Sequence, residues 1–226
     1  MTSIDPFPGF AERLSGIRDR IESASPDPDG VTLVAVTKGF GPDAVRTALA
    51  SGLTVVGENY ADELVAKAAA TAGDPGPLSE WHFLGAIQRN KVPRLAPLVA
   101  CWQAVARLAE GRAIARRQPG ARVLVQVDVA GLPGRGGVPS SDVPALVAAL
   151  GEEDLDVAGL MAVGPPGPAE AARPGFREVS RLADALGLPV RSMGMTGDLE
   201  VALSEGSTMV RLGRALFGER PTSPAA

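Results

Sequence analysis

The sequence predicts an α/β fold, a single (β/α)8 barrel spanning residues 1–226 with an extra N-terminal helix. Eight short apolar runs recur along the chain, and segments of helical character separate most of them. Strands that alternate with helices form right-handed crossovers and a parallel sheet, and eight such units close a barrel. The length of 226 residues suits one domain of this kind. A doubly wound open sheet is the competing architecture.

The N-terminal helix is predicted at about residues 8–22, where apolar residues recur at helical spacing. These apolar residues are Phe10, Leu14, Ile17 and Ile21. The predicted strands are short runs rich in Val, Leu and Ala, at 33–36, 54–57, 81–84, 101–105, 123–129, 157–163, 190–193 and 208–212. The later helices are predicted between them, at 43–51, 61–72, 107–118, 141–150, 169–186 and 198–204.

Three segments rich in Gly and Pro are predicted linkers, at 73–79, 131–140 and 164–168. The stretch 131–137 superficially resembles a phosphate loop, but it matches neither the dinucleotide fingerprint nor the Walker pattern. We interpret it as a flexible crossover. The tail at 220–226 is expected to be disordered.

Composition excludes several classes of function. A net charge of -4, with no basic run, argues against a general nucleic-acid binder. No window of 18 apolar residues predicts a membrane span, and the N-terminus lacks the features of a signal peptide. The lone Cys101 has no partner for an internal disulfide, which favours a reducing compartment. Its side chain is expected to pack in the hydrophobic core. The expected location is the cytoplasm.

Lys38 is the most informative residue, because it follows the apolar run at 31–37 and is one of only three lysines. An ammonium at the end of a buried strand loses solvation, which lowers its pKa and frees the amine to attack an aldehyde. Arginine, which stays protonated, lacks this chemistry. The alternative interpretation is a solvated cation at the mouth of the strand.

Other polar residues also fall where predicted strands end, which is where barrel enzymes place their sites. The loop at 192–197 leads into a helix near Asp198 and offers backbone N–H groups to a phosphate, although Thr196 or Asp198 could instead serve as an ordinary N-cap. Arg211 lies within an apolar strand and therefore needs an acceptor, for which Glu58 is a candidate. His82, the only histidine, is expected to be a hydrogen-bonded core residue rather than a metal ligand.

Six motifs in order along the chain resemble the pyridoxal phosphate homeostasis family, a group similar to the N-terminal barrel of alanine racemase. They are Leu-Val-Ala-Val-Thr-Lys (33–38), Gly-Glu-Asn-Tyr (57–60), Trp-His-Phe-Leu-Gly (81–85) with Gln-Arg-Asn-Lys (88–91), Gly-Leu-Met-Ala (159–162), Ser-Met-Gly-Met (192–195), and Gly-Ser-Thr-Met-Val-Arg-Leu-Gly (206–213) with Leu-Phe-Gly (216–218). The resemblance covers nearly the whole chain and implies a barrel that binds pyridoxal 5′-phosphate (PLP). Two segments depart from the family pattern, Gly-Phe-Gly at 39–41 and the glycine-rich stretch 131–138.

The resemblance also implies the site residues. Lys38 would carry PLP as a Schiff base, and Arg211 would approach the pyridine nitrogen. An arginine there keeps the ring unprotonated and weakens its capacity to stabilise a carbanion, which favours holding over catalysis. The remaining expected residues surround the phosphate (Ser192, Thr196, Gly213 and Arg214) or line the cofactor (Asn59 and Met161).

The implied function is that of a carrier or regulator in intracellular PLP homeostasis, rather than an enzyme. Its expected partners are PLP and PLP-dependent apo-enzymes, and the expected state is a monomer. The alternative is a weak PLP-dependent amino acid racemase or related catalyst. Alanine racemases take a second catalytic tyrosine from a separate domain, whereas the only tyrosine here is Tyr60. A third possibility is a protein-binding scaffold without cofactor.

Overall fold

The computed structural model describes residues 6–76, 80–132 and 136–220. Eight parallel strands pair in chain order and close a barrel, because the first strand pairs with both the second and the eighth. The predicted (β/α)8 fold is therefore confirmed, and the open sheet is excluded. The strands are β1 (Thr32–Val36), β2 (Val55–Glu58), β3 (Glu80–Phe83), β4 (Val99–Val105), β5 (Arg122–Val127), β6 (Asp156–Ala162), β7 (Val190–Ser192) and β8 (Met209–Leu212).

Nine α-helices lie within the described ranges, and they precede, separate or follow the barrel strands along the chain. They are α1 (Phe10–Ala24), α2 (Pro42–Ala50), α3 (Ala61–Thr71), α4 (Val92–Leu95), α5 (Leu108–Ala115), α6 (Val143–Gly151), α7 (Arg173–Ala185), α8 (Leu199–Ser204) and α9 (Arg214–Phe217). Short 3-10 turns precede α6 and α7, at Ser140–Asp142 and Ala169–Ala172. The helix predicted at 169–186 is therefore two elements. Pro174 lies in the first turn of α7, where backbone N–H groups have no partner within the helix, so the missing N–H of proline costs no hydrogen bond.

The strands form because their residues are apolar on both faces, as a barrel wall covered by helices requires. In β1, Val34 faces one hydrophobic cluster and Ala35 another, and both are fully buried. The predicted N-terminal stripe is buried on α1, which contacts α8 and α9. Cys101 is buried in the core, as predicted, and burial raises the pKa of its thiol to about 12.

The prediction of a disordered tail needs correction at one residue, and parts of three predicted segments fall outside the described residues. Arg220, assigned to the disordered tail, has a defined place beside Gly39. Residues 221–226 of the tail, 77–79 of the first linker and 133–135 of the glycine-rich linker lie outside the described residues. Within the described residues, no helix is long and apolar enough to cross a membrane.

Candidate functional site

A cavity of about 590 Å³ opens at the carboxyl ends of the strands. It brings together seven of the eight residues expected at the site, which come from the ends of five different strands or the loops after them. These are Lys38, Asn59, Met161, Thr196, Arg211, Gly213 and Arg214. The loop at 164–168 forms another part of the wall. Sequence positions up to 176 residues apart therefore meet at one mouth because every parallel strand of the barrel ends there.

Lys38 lies two residues after β1 and is half-buried at the cavity wall. Burial lowers the pKa of its ammonium, and the nearby Arg220 and Arg211 guanidinium groups lower that pKa further. The Glu58 and Glu63 carboxylates act in the opposite direction without reversing the shift. A larger fraction of Lys38 is therefore the neutral, nucleophilic amine than for a lysine in water.

The loop after β7 forms a tight turn at the cavity edge. The Met195 N–H donates to the Asp198 carboxylate at 2.6 Å, and the Asp198 N–H donates to the Met195 carbonyl at 3.3 Å. Thr196 and Gly197 lie at the exposed tip of this turn and line the cavity. Asp198 occupies the N-cap position of α8, but its side chain bonds backwards to Met195 and caps no α8 N–H. The turn thus presents Thr196 to the cavity.

Arg211 forms the buried floor of the cavity. One terminal nitrogen, Nη1, donates to the Ser192 carbonyl and hydroxyl, both at 2.6 Å, and Nη2 donates to the Ala162 carbonyl at 2.8 Å. The suggested pairing with Glu58 is wrong, because Glu58 pairs with Lys67 instead. Burial lowers the pKa of Arg211 to about 10, so the guanidinium stays charged at neutral pH. Neutral oxygens alone hold this cation through the hydrogen bonds of the described residues.

Ser192 does not line the cavity but lies fully buried beneath Arg211. Its hydroxyl donates to Gln103 Oε1 at 2.7 Å, and Gln103 Nε2 lies 2.7 Å from His82 Nδ1. An amide nitrogen only donates, so His82 Nδ1 accepts and the imidazole is neutral. Burial lowers the pKa of His82 to about 4, in agreement with the neutral form. His82 is thus a hydrogen-bonded interior residue, as predicted. It ends a series of hydrogen bonds that runs through Gln103 and Ser192 to Arg211.

Arg220 is a cavity residue that the sequence analysis missed. Its side chain lies against Gly39, where an added Cβ would be 2.9 Å from Arg220 Cδ. Gly39 has a φ of 78°, a left-handed conformation that glycine adopts without strain. The Gly-Phe-Gly departure after Lys38 therefore makes room for Arg220. Phe40 of the same segment packs against Phe7 and Phe217, which ties this loop to both ends of the described chain.

The charge of the cavity is strongly positive. Lys38, Arg211, Arg214 and Arg220 contribute cations, whereas Asp198 is the only carboxylate among the described residues that line it. Asp198 already accepts the Met195 N–H. Arg214 and Arg220 form no salt bridge with any other described residue. The site therefore suits a ligand with several negative charges. A group on that ligand that reacts with amines would meet Lys38.

Comparison with known proteins agrees with this geometry. The family model "Alanine racemase, N-terminal domain" matches residues 13–221. The pyridoxal phosphate homeostasis protein of Pseudomonas aeruginosa is 38% identical over 221 residues, covering 93% of this chain and 94% of the relative. That of Deinococcus radiodurans is 39% identical over 211 residues, covering 90% and 97%.

A solved structure gives the same result in three dimensions. PipY of Synechococcus elongatus, solved with PLP bound, superimposes with a TM-score of 0.79 at 30% identity. The match covers 92% of this chain and 100% of PipY. The chain therefore belongs to the alanine racemase N-terminal domain family and, within it, to the pyridoxal phosphate homeostasis proteins.

Proposed function

We propose that this protein binds PLP in the cavity, holds it as a Schiff base on Lys38, and acts as a carrier or regulator in PLP (vitamin B6) homeostasis. The observation that carries the proposal is a half-buried amine of lowered pKa that shares one cavity with three arginines. The names of the relatives and the PLP bound to PipY support the same ligand.

The residues present fit the chemical groups of PLP. The dianionic phosphate would lie near Thr196, Gly213 and Arg214, and Asn59 and Met161 would flank the ring. When bound, PLP supplies an aldehyde carbon. The neutral Lys38 Nζ attacks this carbon, a C=N bond forms, and one water molecule leaves. Protonated nitrogen lacks the lone pair for this attack, which is why the lowered pKa of Lys38 matters.

Arg211 favours holding over catalysis. Its guanidinium is a donor without acceptor capacity, so a ring nitrogen placed against it would accept a hydrogen bond and stay unprotonated. An unprotonated ring withdraws electrons weakly from a carbanion. The racemase alternative also needs a second proton-transfer group, and Tyr60 is 58% exposed and not among the described residues that line the cavity. The geometry supports the carrier or regulator best.

The wider cellular role follows from an accessible, reversible attachment. A Schiff base hydrolyses back to aldehyde and amine, so PLP held at an open cavity mouth can pass to PLP-dependent apo-enzymes. We place this exchange in the cytoplasm, in agreement with a single buried and unpaired cysteine, and assign the carrier a monomeric state.

The direct test combines spectroscopy with mapping of the attachment site. We expect PLP added to the apo-protein to give a saturable imine absorbance, and borohydride reduction followed by peptide mass mapping to place the adduct on Lys38. Pyridoxal, which lacks the phosphate, serves as the matched ligand and should bind far more weakly. A reduced adduct spread over Lys67, Lys91 and the N-terminus, with none enriched on Lys38, would contradict the proposal.

Removal of Arg220 should weaken binding without removing the attachment site. Arg220→Ala takes away a cation that lines the cavity and lowers the pKa of Lys38, so we expect PLP affinity to fall by about fivefold and the pKa of Lys38 to rise. The measurements are PLP titrations at two salt concentrations and the pH dependence of imine formation. Arg116→Ala, an arginine at the end of α5 and not among the residues of the cavity wall, is the control. Equal affinities for both variants would show that Arg220 has no part in binding.

A further inference from the structure

A buried ionic network lies directly behind Lys38. Lys67, on α3, is only 4% exposed, and its Nζ atom donates three hydrogen bonds. The acceptors are the Thr37 carbonyl at 2.7 Å, Glu58 Oε1 at 2.6 Å and Glu63 Oε2 at 2.9 Å. The Thr37 hydroxyl also donates to Glu58 Oε1, at 2.6 Å. Two carboxylates and one ammonium thus share a site in which Lys67 and Glu58 are buried and Glu63 is partly exposed.

The same network binds the backbone on both sides of Lys38. Lys67 holds the carbonyl of the preceding residue, Thr37, and Glu63 Oε2 accepts the N–H of the following residue, Gly39, at 2.8 Å. Lys38 itself lies between these two anchored peptide groups. These two hydrogen bonds, together with those of the Thr37 N–H to the Gly57 carbonyl and of the Phe40 N–H to the Thr37 carbonyl, restrain the backbone from which the Lys38 side chain extends.

Stability alone is a weak explanation for the network. Desolvation of buried ions costs as much as their attraction returns, so apolar residues of similar volume would serve the fold as well. One buried oxygen, Glu58 Oε2, has no hydrogen-bond partner among the described residues, which adds a further cost. Burial raises the pKa of Glu58, which is the expected response of an incompletely paired carboxylate. The ions that carry these costs belong to the network that binds the two residues on either side of Lys38.

We propose that Glu58, Glu63 and Lys67 are positioning residues for Lys38, which fix its backbone so that the amine meets the aldehyde of PLP in the reactive orientation. This inference rests on the proposed PLP-binding function. Neither carboxylate lines the cavity, so both act through the backbone beside Lys38 and not by touching the ligand.

Two variants test the proposal. Glu63→Ala removes the acceptor of the Gly39 N–H at a side chain that is 34% exposed, so the fold is expected to survive. The double variant Glu58→Gln/Lys67→Met removes the buried cation and the buried anion together and leaves neither uncompensated. Glu110→Gln is the matched control. It changes a residue that is 3% exposed and whose carboxylate accepts four hydrogen bonds, all of them from residues 106 and 107 at the start of α5.

The rate of imine formation separates orientation from charge. Loss of the Glu63 or Glu58 charge lowers the pKa of Lys38, since both carboxylates raise it, and this effect alone would accelerate reaction at neutral pH. Above the pKa of Lys38 the amine is neutral in every variant, and only orientation remains. We expect the high-pH plateau rate with PLP to fall about tenfold in both network variants and to stay unchanged in Glu110→Gln. The plateau rate with a small acylating reagent, which needs no orientation, should stay unchanged in all.

Hydrogen exchange gives a second readout that needs no PLP. In the apo-protein the Gly39 amide should be protected, and Glu63→Ala should raise its exchange rate by about tenfold relative to wild type and Glu110→Gln. Folded network variants that keep the wild-type plateau rate and the wild-type Gly39 protection would overturn the inference. Failure of the wild-type protein itself to form an imine would overturn the proposed function, and the Gly39 exchange rates would still decide whether the network fixes this loop.

Discussion

Lys38→Ala is expected to abolish covalent capture of PLP while the barrel stays folded. The half-buried Lys38 is the only lysine that lines the cavity among the described residues, and its substitution removes the nucleophile. Truncation to alanine leaves room rather than a clash and removes a poorly solvated charge, so the free energy of unfolding should change little. The imine absorbance should vanish, and borohydride should trap no adduct within the cavity.

The loss of PLP affinity in Lys38→Ala is measured from the noncovalent binding that remains. The cations Arg211, Arg214 and Arg220 remain in the variant and still attract the phosphate, so PLP should bind weakly and reversibly. We expect the dissociation constant to rise about a hundredfold, which corresponds to about 3 kcal/mol. Lys91→Ala is the matched control, because Lys91 lies outside the cavity and pairs with Asp62. An unchanged spectrum in Lys38→Ala, or a lost spectrum in Lys91→Ala, would show that the attachment site is elsewhere.

Gly85→Ala is expected to have the largest effect on stability. A Cβ at this buried position would lie 2.0 Å from the Asn59 carbonyl oxygen and 2.8 Å from its carbon. These are backbone atoms, so a rotamer change gives no relief and the loop after β2 must move. We expect the free energy of unfolding to fall by about 3 kcal/mol, in the range of overpacked cores. Asn59 lines the cavity, so PLP affinity should fall as well.

Urea unfolding and PLP titration of the same variant measure both effects. Gly73→Ala is the matched control, since nothing lies within 4 Å of a Cβ there. It should leave stability within about 0.5 kcal/mol of wild type, as surface substitutions do. If Gly85→Ala unfolds at the wild-type urea concentration, the close approach of Gly85 to Asn59 is not a feature of the folded protein.

The strand pattern was predictable because burial on both faces leaves a local record. Runs such as 33–36 and 157–163 are apolar over four or more residues, and each coincides with an observed strand to within one residue at either end. The helices α4 and α9 were not predicted, because four residues make about one turn and show no periodicity. The pairing of charged side chains was even harder to predict from the sequence. Glu58 contacts Lys67 instead of Arg211, which only the three-dimensional arrangement shows.

The sequence by itself determined the barrel, the place of Lys38 just after β1 and the location of most of the expected site residues at one cavity, because parallel strands bring their carboxyl ends to one face whatever their detailed packing. The tertiary structure alone decided that Ser192 lies beneath Arg211, that Arg220 returns to Gly39, and which groups anchor the backbone beside Lys38. Those contacts join residues far apart in the chain, as Ser192 and Gln103 are. Their pairing depends on strand register and side-chain direction, and neither quantity is recorded in the local order of apolar and polar residues.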